Sequence, residues 1–279
     1  MGFLLRLLGL KSRDPVVPVV RLSGVLSPSG AFGRSALSLQ RVQGLLRKAF
    51  SMKGAAAVAL VINSPGGSAA QSSLIAQRIR HLAREKNLPV IAFVEDVAAS
   101  GGYWLACAGD EIFVDASSIV GSIGVISSGF GFTEAIKKLG IERRVHTAGA
   151  KKGMLDAFQA EKPEDVQHLE ALQSEIHERF KAWVKERRGI KLKASEAELF
   201  SGAFWTGQRA LALGLVDGIA EARSKLRERF GQNVKLIAVE AKRSFFRRLG
   251  RGGTSGPDDW FAGALAAVEE RSLWQRFGL

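Results

Sequence analysis

Two kinds of apolar pattern run through this chain. Short unbroken apolar runs alternate with longer stretches in which apolar residues recur every three or four positions. Ala57 to Ile62 is one unbroken run, and Val90 to Val94 is another, opened by Pro89 and ended by Glu95-Asp96. Both read as buried strands, and Val16 to Leu22 has a strand pattern as well. Helical spacing covers Ser35 to Phe50, with Ser35 as the cap, and resumes near Ala69. It returns at Phe130 to Leu139, where Gly140 stops it, and Ile141 to His146 then predicts a strand. The longest helix is predicted over Pro163 to Arg188. Pro163 opens it, Gly189 closes it, and Val166, Leu169, Leu172, Ile176, Phe180 and Val184 recur along it. Ala194-Ser195-Glu196 begins a short helix. A linker, Arg251 to Asp259, separates a last amphipathic helix over Trp260 to Phe277. This alternation predicts an α/β domain over residues 16–250, with an apolar and basic segment at 1–15 and a helical tail at 251–279.

Two of the strand-to-helix turns carry chemistry. The first follows the Val90 strand: Val97-Ala98-Ala99-Ser100-Gly101-Gly102-Tyr103, with a small apolar helix running on to Ala108. A serine between a buried strand and a helix has a fixed backbone and lies near the positive end of the helix dipole. The glycines behind it let another backbone approach and leave amide N–H groups uncovered. That layout suits an acyl-transfer nucleophile beside oxyanion donors. It also suits a serine that merely caps a helix before two packing glycines. The second turn, Asn63-Ser64-Pro65-Gly66-Gly67-Ser68, follows the Ala57 strand. Two such turns about thirty residues apart fit βαβ spacing, which sets both at one edge of a sheet where their amides can converge.

Together with Gly121-Ser122-Ile123-Gly124-Val125-Ile126, these motifs make the chain resemble the signal peptide peptidase A family. These SppA/SohB-like serine–lysine peptidases have the ClpP/crotonase fold of repeated ββα units. The resemblance covers Val16 to Phe230. It implies that Ser100 is the nucleophile, that the Gly67 and Gly101 amides hold the oxyanion, and that Ser122 orients the base. The base itself is implied to be Lys152, some fifty residues after the serine in Arg144 to Gly153, where Gly153 replaces a residue often polar in the family. Phe204 to Ala210 and Gly214 to Asp217 match the segment after the long helix and are expected to pack and to face an oligomer partner. Relatives with one catalytic domain per chain form closed rings, in which the serine and lysine meet across a subunit boundary.

The residues themselves agree with a lysine base. His81, His168 and His177 fall in charged helical segments and are expected to be solvated, and His146 lies alone on the predicted strand. No His-Asp pair stands at a loop, so a Ser-His-Asp triad has no members. A lysine base must shed its proton, and at an ordinary value near 10.4 only about one lysine in 2,500 is neutral at pH 7. Val145, Ala148, Gly149 and Ala150 offer apolar surroundings, and Lys151 offers a like charge. Neighbours in an extended segment point to opposite faces, so only one of Lys151 and Lys152 can face the serine.

Composition narrows the rest. The 279 residues suffice for one full core. Cys107 is the single cysteine, which excludes an internal disulfide and fits a buried thiol in a reducing, cytoplasmic setting. No Cys/His cluster has metal spacing, and no cofactor is expected. The net charge of +13 suits an anionic surface, and basic residues concentrate at Arg143-Arg144, Lys181 to Lys193 and Lys242 to Arg251. With Phe245-Phe246 inside the last cluster, the expectation is peripheral contact with an anionic inner-membrane surface, not nucleic acid. Met1 to Lys11 is too short, and too interrupted by Arg6, to span a bilayer. The expected activity is a Ser-Lys serine endopeptidase acting on signal peptides or other short unfolded chains. A crotonase-like acyl-CoA enzyme and a non-catalytic membrane-docking scaffold are the alternatives. The first lacks a carboxylate pair in the turns, and an activated serine would exclude both.

Overall fold

The unbroken apolar runs become the centre of one sheet. The computed structural model describes residues 14–28, 36–240, 268 and 270–279. In chain order the elements are β1 (Val16–Ser23), α1 (Leu39–Phe50), β2 (Val58–Ser64), α2 (Ala69–Lys86), β3 (Val90–Ala99) and α3 (Gly101–Ala106). Then come β4 (Glu111–Val114), β5 (Ile119–Gly121), α4 (Thr133–Lys138), α5 (Pro163–Arg188), a 3-10 turn (Gly189–Lys191) and α6 (Glu196–Leu199). The last are β6 (Phe204–Thr206), α7 (Gly207–Ala212), β7 (Gly218–Ile219), α8 (Ala222–Phe230) and β8 (Lys235–Ala238).

The strands order as β6-β5-β3-β2-β1-β8, with β4 beside β3 and β7 beside β4. Every pairing is parallel except β5 with β6. Parallel strands are buried on both faces, which explains their unbroken apolar sequence. On one face Val20, Leu22, Leu60, Ile62, Ala92 and Val94 meet the helical layer of α1, α2, α3 and the end of α5. On the other, Val17, Ala59, Ile91 and Phe93 meet Leu226 of α8.

β3 runs past Glu95-Asp96, where the sequence predicts its end. It continues because it changes neighbours: Ile91 to Val94 pair with β4, and Val97 to Ala99 pair with β5. Its register with β2 also shifts, from Ile62 opposite Val94 to Ser64 opposite Ala98. The Asn63 side chain spans the irregularity, accepting from the Val97 N–H at 3.2 Å and donating to Asp96 at 2.5 Å. Two polar residues in mid-strand are therefore a bulge, not a terminus.

Other boundaries also differ. α1 begins at Leu39, capped at Ser38, and Ser35 lies outside the described residues. The predicted Phe130–Leu139 helix shortens to Thr133–Lys138; Gly140 does end it, with the Ile141 N–H bonded back to Ile136 at 2.9 Å. Ile141 to His146 is not a strand. No described strand lies beside it to accept its N–H groups, and Ile141 and Val145 stay exposed. The predicted stripe of α5 is only half used: Phe180 and Val184 are buried, whereas Leu172 is exposed. Of the predicted Trp260–Phe277 helix, residues 268 and 270–275 are helical, Arg276 and Phe277 form a turn, and 260–267 and 269 lie outside the described residues. The segment 1–13, the basic cluster with Phe245-Phe246 and the linker at 251–259 lie outside the described residues.

Candidate active site

Ser100 stands between the last residue of β3 and the first of α3. Its backbone has φ 51° and ψ −120°, a conformation that an L side chain rarely adopts. The Ser100 side chain caps nothing: no hydrogen bond joins its Oγ to the first turn of α3. The capping role open to it on sequence is therefore not the one it plays. A half-buried hydroxyl on a strained strand-to-helix turn is the geometry of a nucleophile elbow.

The glycine turn of β2 packs directly on this elbow. A Cβ on Gly66, whose φ is +106°, would lie 2.7 Å from the Ser100 Cβ and 2.9 Å from the Gly101 nitrogen. Gly67, at φ +129°, leaves no room for a Cβ against the Leu26 carbonyl. The Leu26 N–H donates to Gly66 at 2.7 Å, and the Ser68 N–H donates to Leu26 at 2.7 Å. In such a parallel bridge the N–H of the residue between, Gly67, points the other way. The Ser100 N–H is spent on the Gly121 carbonyl at 2.8 Å. The Gly67 and Gly101 N–H groups make no hydrogen bond to another described residue. Ser64, fully buried, braces the turn: its Oγ donates to the Gly24 carbonyl at 2.7 Å and accepts from the Gly66 N–H at 3.3 Å.

Ser122 follows β5, which pairs with the end of β3. It is buried at φ 52°, and its N–H donates to Ala203 at 2.7 Å. Ser100, Gly67, Gly101 and Ser122 thus lie at one end of β2, β3 and β5. Lys152 does not join them within the chain. It is exposed, its N–H donates to Gly149 at 3.1 Å, and no hydrogen bond links it to Ser100 or Ser122. From Ile126 to Lys162 no residue is buried. Apart from the Lys162 carbonyl, which accepts from the first turn of α5, the hydrogen bonds of that lobe among the described residues run between its own residues, such as Phe132 to Ala157 at 2.6 Å and Arg143 to Asp156 at 3.2 Å.

His177 departs from the solvated role expected of it. Its Nε2 lies 3.1 Å from the Ile123 carbonyl, next to Ser122. The signal was its place three residues before Phe180, on the stripe of α5 that turns inward. His146 is exposed. Cys107 is fully buried, and burial pushes its thiol up to about 12, as expected of an inert core thiol. Leu215 and Val216 pack in the core, as expected of the Gly214–Asp217 segment, whereas Phe204 in the other matching segment is exposed. Among the described residues no group of His, Cys, Asp and Glu could hold a metal ion.

Residues 82–235, more than half of the chain and including Ser100 and Lys152, match the model of peptidase family S49. The chain belongs to peptidase family S49. Within it the SppA-like group is represented by the chloroplastic serine protease SPPA of Arabidopsis thaliana, 31% identical over 90% of this chain and 37% of its own length. A Brucella abortus protein named Na(+)/H(+) antiporter NhaA is 51% identical over the whole of this chain but only 39% of its own length. The S49 match lies inside that shared stretch, so the shared part is peptidase-like, and the chain spans less than half of these longer relatives. The solved structure of a lysine-to-alanine mutant of the 1510-N membrane-bound stomatin-specific protease, in complex with a substrate peptide, shares the fold. Its TM-score is 0.51 at 17% identity, over 90% of this chain and 99% of that one. The S49 fold is the ClpP/crotonase type. No helix among the described residues is long and apolar enough to cross a membrane.

Proposed function

We propose that this S49 chain is a serine endopeptidase using Ser100 as nucleophile and Lys152 as base. The observation that carries the reading is the Ser100 elbow. Its side chain is released from capping, its own N–H is tied to Gly121, and beside it stand two amides that have no partner among the described residues. Ser100 Oγ attacks the scissile carbonyl carbon while Lys152 Nζ takes its proton. The Gly67 and Gly101 N–H groups hold the oxyanion as it forms. The lysine returns the proton to the leaving amine, and water then hydrolyses the acyl-enzyme by the reverse proton path. An extended substrate adds as a strand beside the glycine turns, which favours short unfolded chains such as released signal peptides.

The lysine comes from a neighbouring copy. The Lys152 lobe buries nothing within the chain, yet it exposes Ile126, Phe130, Leu139 and Ile141. A base must be held to about half an ångström, and a lobe with no wall of its own does not supply that. A closed ring repeats one heterologous contact and brings each lobe to the next elbow. Labelling with a fluorophosphonate probe tests the nucleophile. Wild type should label and Ser100→Ala should not; an unlabelled wild type would overturn the reading.

A further inference from the structure

On the helical layer, away from the Ser100 elbow, a cleft of about 630 Å3 opens between α2 and α5. From α2 it is lined by Leu74, Gln77, Arg78, His81 and Arg84, spaced so that they form one stripe. From Leu74 to Arg84 that stripe is about 15 Å long. The other wall carries Trp183, Glu186 and Arg187 of α5. One end is apolar: Leu74 is 44% exposed beside Leu39 and Trp183, whose Nε1 is fixed by the Trp104 carbonyl at 3.0 Å. The remainder is cationic.

We propose that this cleft binds an acidic peptide segment, with an apolar side chain against Leu74 and Trp183 and carboxylates along Arg78 and Arg84. The lining holds four arginines, Arg78, Arg80, Arg84 and Arg187, and one carboxylate, Glu186. Arg80 and Arg187 are held at the floor by Asp110, at 2.8 and 3.1 Å, and by the carbonyls of Ala108, Cys107 and Gly109. Asp110 shows the chemistry the cluster accepts: one carboxylate oxygen between two guanidiniums. Among the described residues, Arg78 and Arg84 have no carboxylate within ion-pair distance; Glu85 nearby is engaged by Lys86 and His81. The cluster is short of negative charge. Burial and the Arg187 and Arg84 charges hold the Arg80 guanidinium below its ordinary value despite Asp110.

A carboxylate chain fits better than a bilayer. The floor side chains Arg80 and Arg187 are only 16% and 18% exposed, out of reach of a flat headgroup plane. An extended segment of four or five residues, at about 3.3 Å each, matches the stripe from its apolar end to Arg84. The inference stands apart from the peptidase reading, because none of these residues touches the Ser100 turn.

The test uses full-length Ser100→Ala protein, so that the probe is not cleaved, and a fluorescent peptide of one leucine followed by four glutamates. Anisotropy should show binding that weakens with sodium chloride. Arg78→Glu/Arg84→Glu, at accessible positions, should weaken it at least about tenfold with an unchanged circular-dichroism spectrum, and glutamine in place of glutamate should do the same. Equal binding by that double variant overturns the proposal. So does absence of peptide binding alongside double-variant-sensitive binding to vesicles of phosphatidylcholine and phosphatidylglycerol in equal parts, which would make the cleft a membrane contact.

Discussion

Ser100 holds a backbone conformation that costs a non-glycine residue of order 1–3 kcal/mol, and it persists because its neighbours over-determine it. Gly66 leaves no space on one side, and Gly121 takes the Ser100 N–H on the other. Ser100→Gly should therefore stabilise the fold by up to about 1 kcal/mol in urea denaturation while removing the hydroxyl proposed as nucleophile. A less stable variant would argue against stored strain at this turn. The glycine turn is equally constrained: Gly66→Ala puts a Cβ 2.7 Å from that of Ser100 at a positive φ. It should lower peptide hydrolysis at least about tenfold, an amount that a loss of about 1.4 kcal/mol of oxyanion stabilisation gives. For the dyad, Ser100→Ala and Lys152→Ala should each abolish hydrolysis with the fold intact, and Lys151→Ala should keep most of it. A dead Lys151→Ala beside an active Lys152→Ala would move the base by one residue.

At the scale of elements, α5 is divided. Its second half is anchored to the core through Phe180, Val184 and a buried tie: Arg188 donates to Asp217 at 2.6 Å and to the Gly214 carbonyl at 2.9 Å. Burial raises the Asp217 carboxyl, but hydrogen bonds from Arg188 and Lys191 outweigh it and hold it below its ordinary value. A carboxyl lowered by folding stabilises the protein above its unfolded value, about 3.9, and that stability is lost as pH falls through the folded value. Acid unfolding followed by circular dichroism should therefore steepen below about pH 4, and Asp217→Asn should flatten the steepening. Arg188→Met removes the buried partner of this carboxylate, leaving it to Lys191 and the Ile112 N–H, and should cost about 3 kcal/mol at pH 7. A loss near zero would mean that Lys191, at 2.7 Å, suffices alone.

Taken whole, the molecule has a finished sheet and an unfinished periphery. The Ile126–Lys162 lobe buries no residue, and Leu172 on the first half of α5 is exposed as well. These are the surfaces a neighbouring copy would cover. Mixing inactive Ser100→Ala with inactive Lys152→Ala should restore hydrolysis once subunits exchange, because some junctions then carry both residues intact. If exchange is demonstrated and the mixture stays inactive, the dyad lies within one chain.

Unbroken apolar runs named the central strands, because a parallel strand buried on both faces has no polar position to spend. The glycine pairs named the two turns, because only glycine lets the Gly66 backbone lie against Ser100. The bulge at Asn63 was hidden, since Glu95-Asp96 looks like a strand end until β5 takes over from β4 as neighbour. The inner face of α5 was hidden too, because its apolar stripe is the same along both halves and only the position of the body decides which half is covered. The same burial of the second half of α5 brings His177, which sits in a charged helical stretch, to the Ile123 carbonyl. Residue type and local pattern mark which side chains could do chemistry. The packed sheet sets which of them meet: it converges Ser100, Gly67, Gly101 and Ser122 at one end and leaves Lys152 on a lobe. That decision rests on long-range strand pairing and burial, which local pattern does not encode.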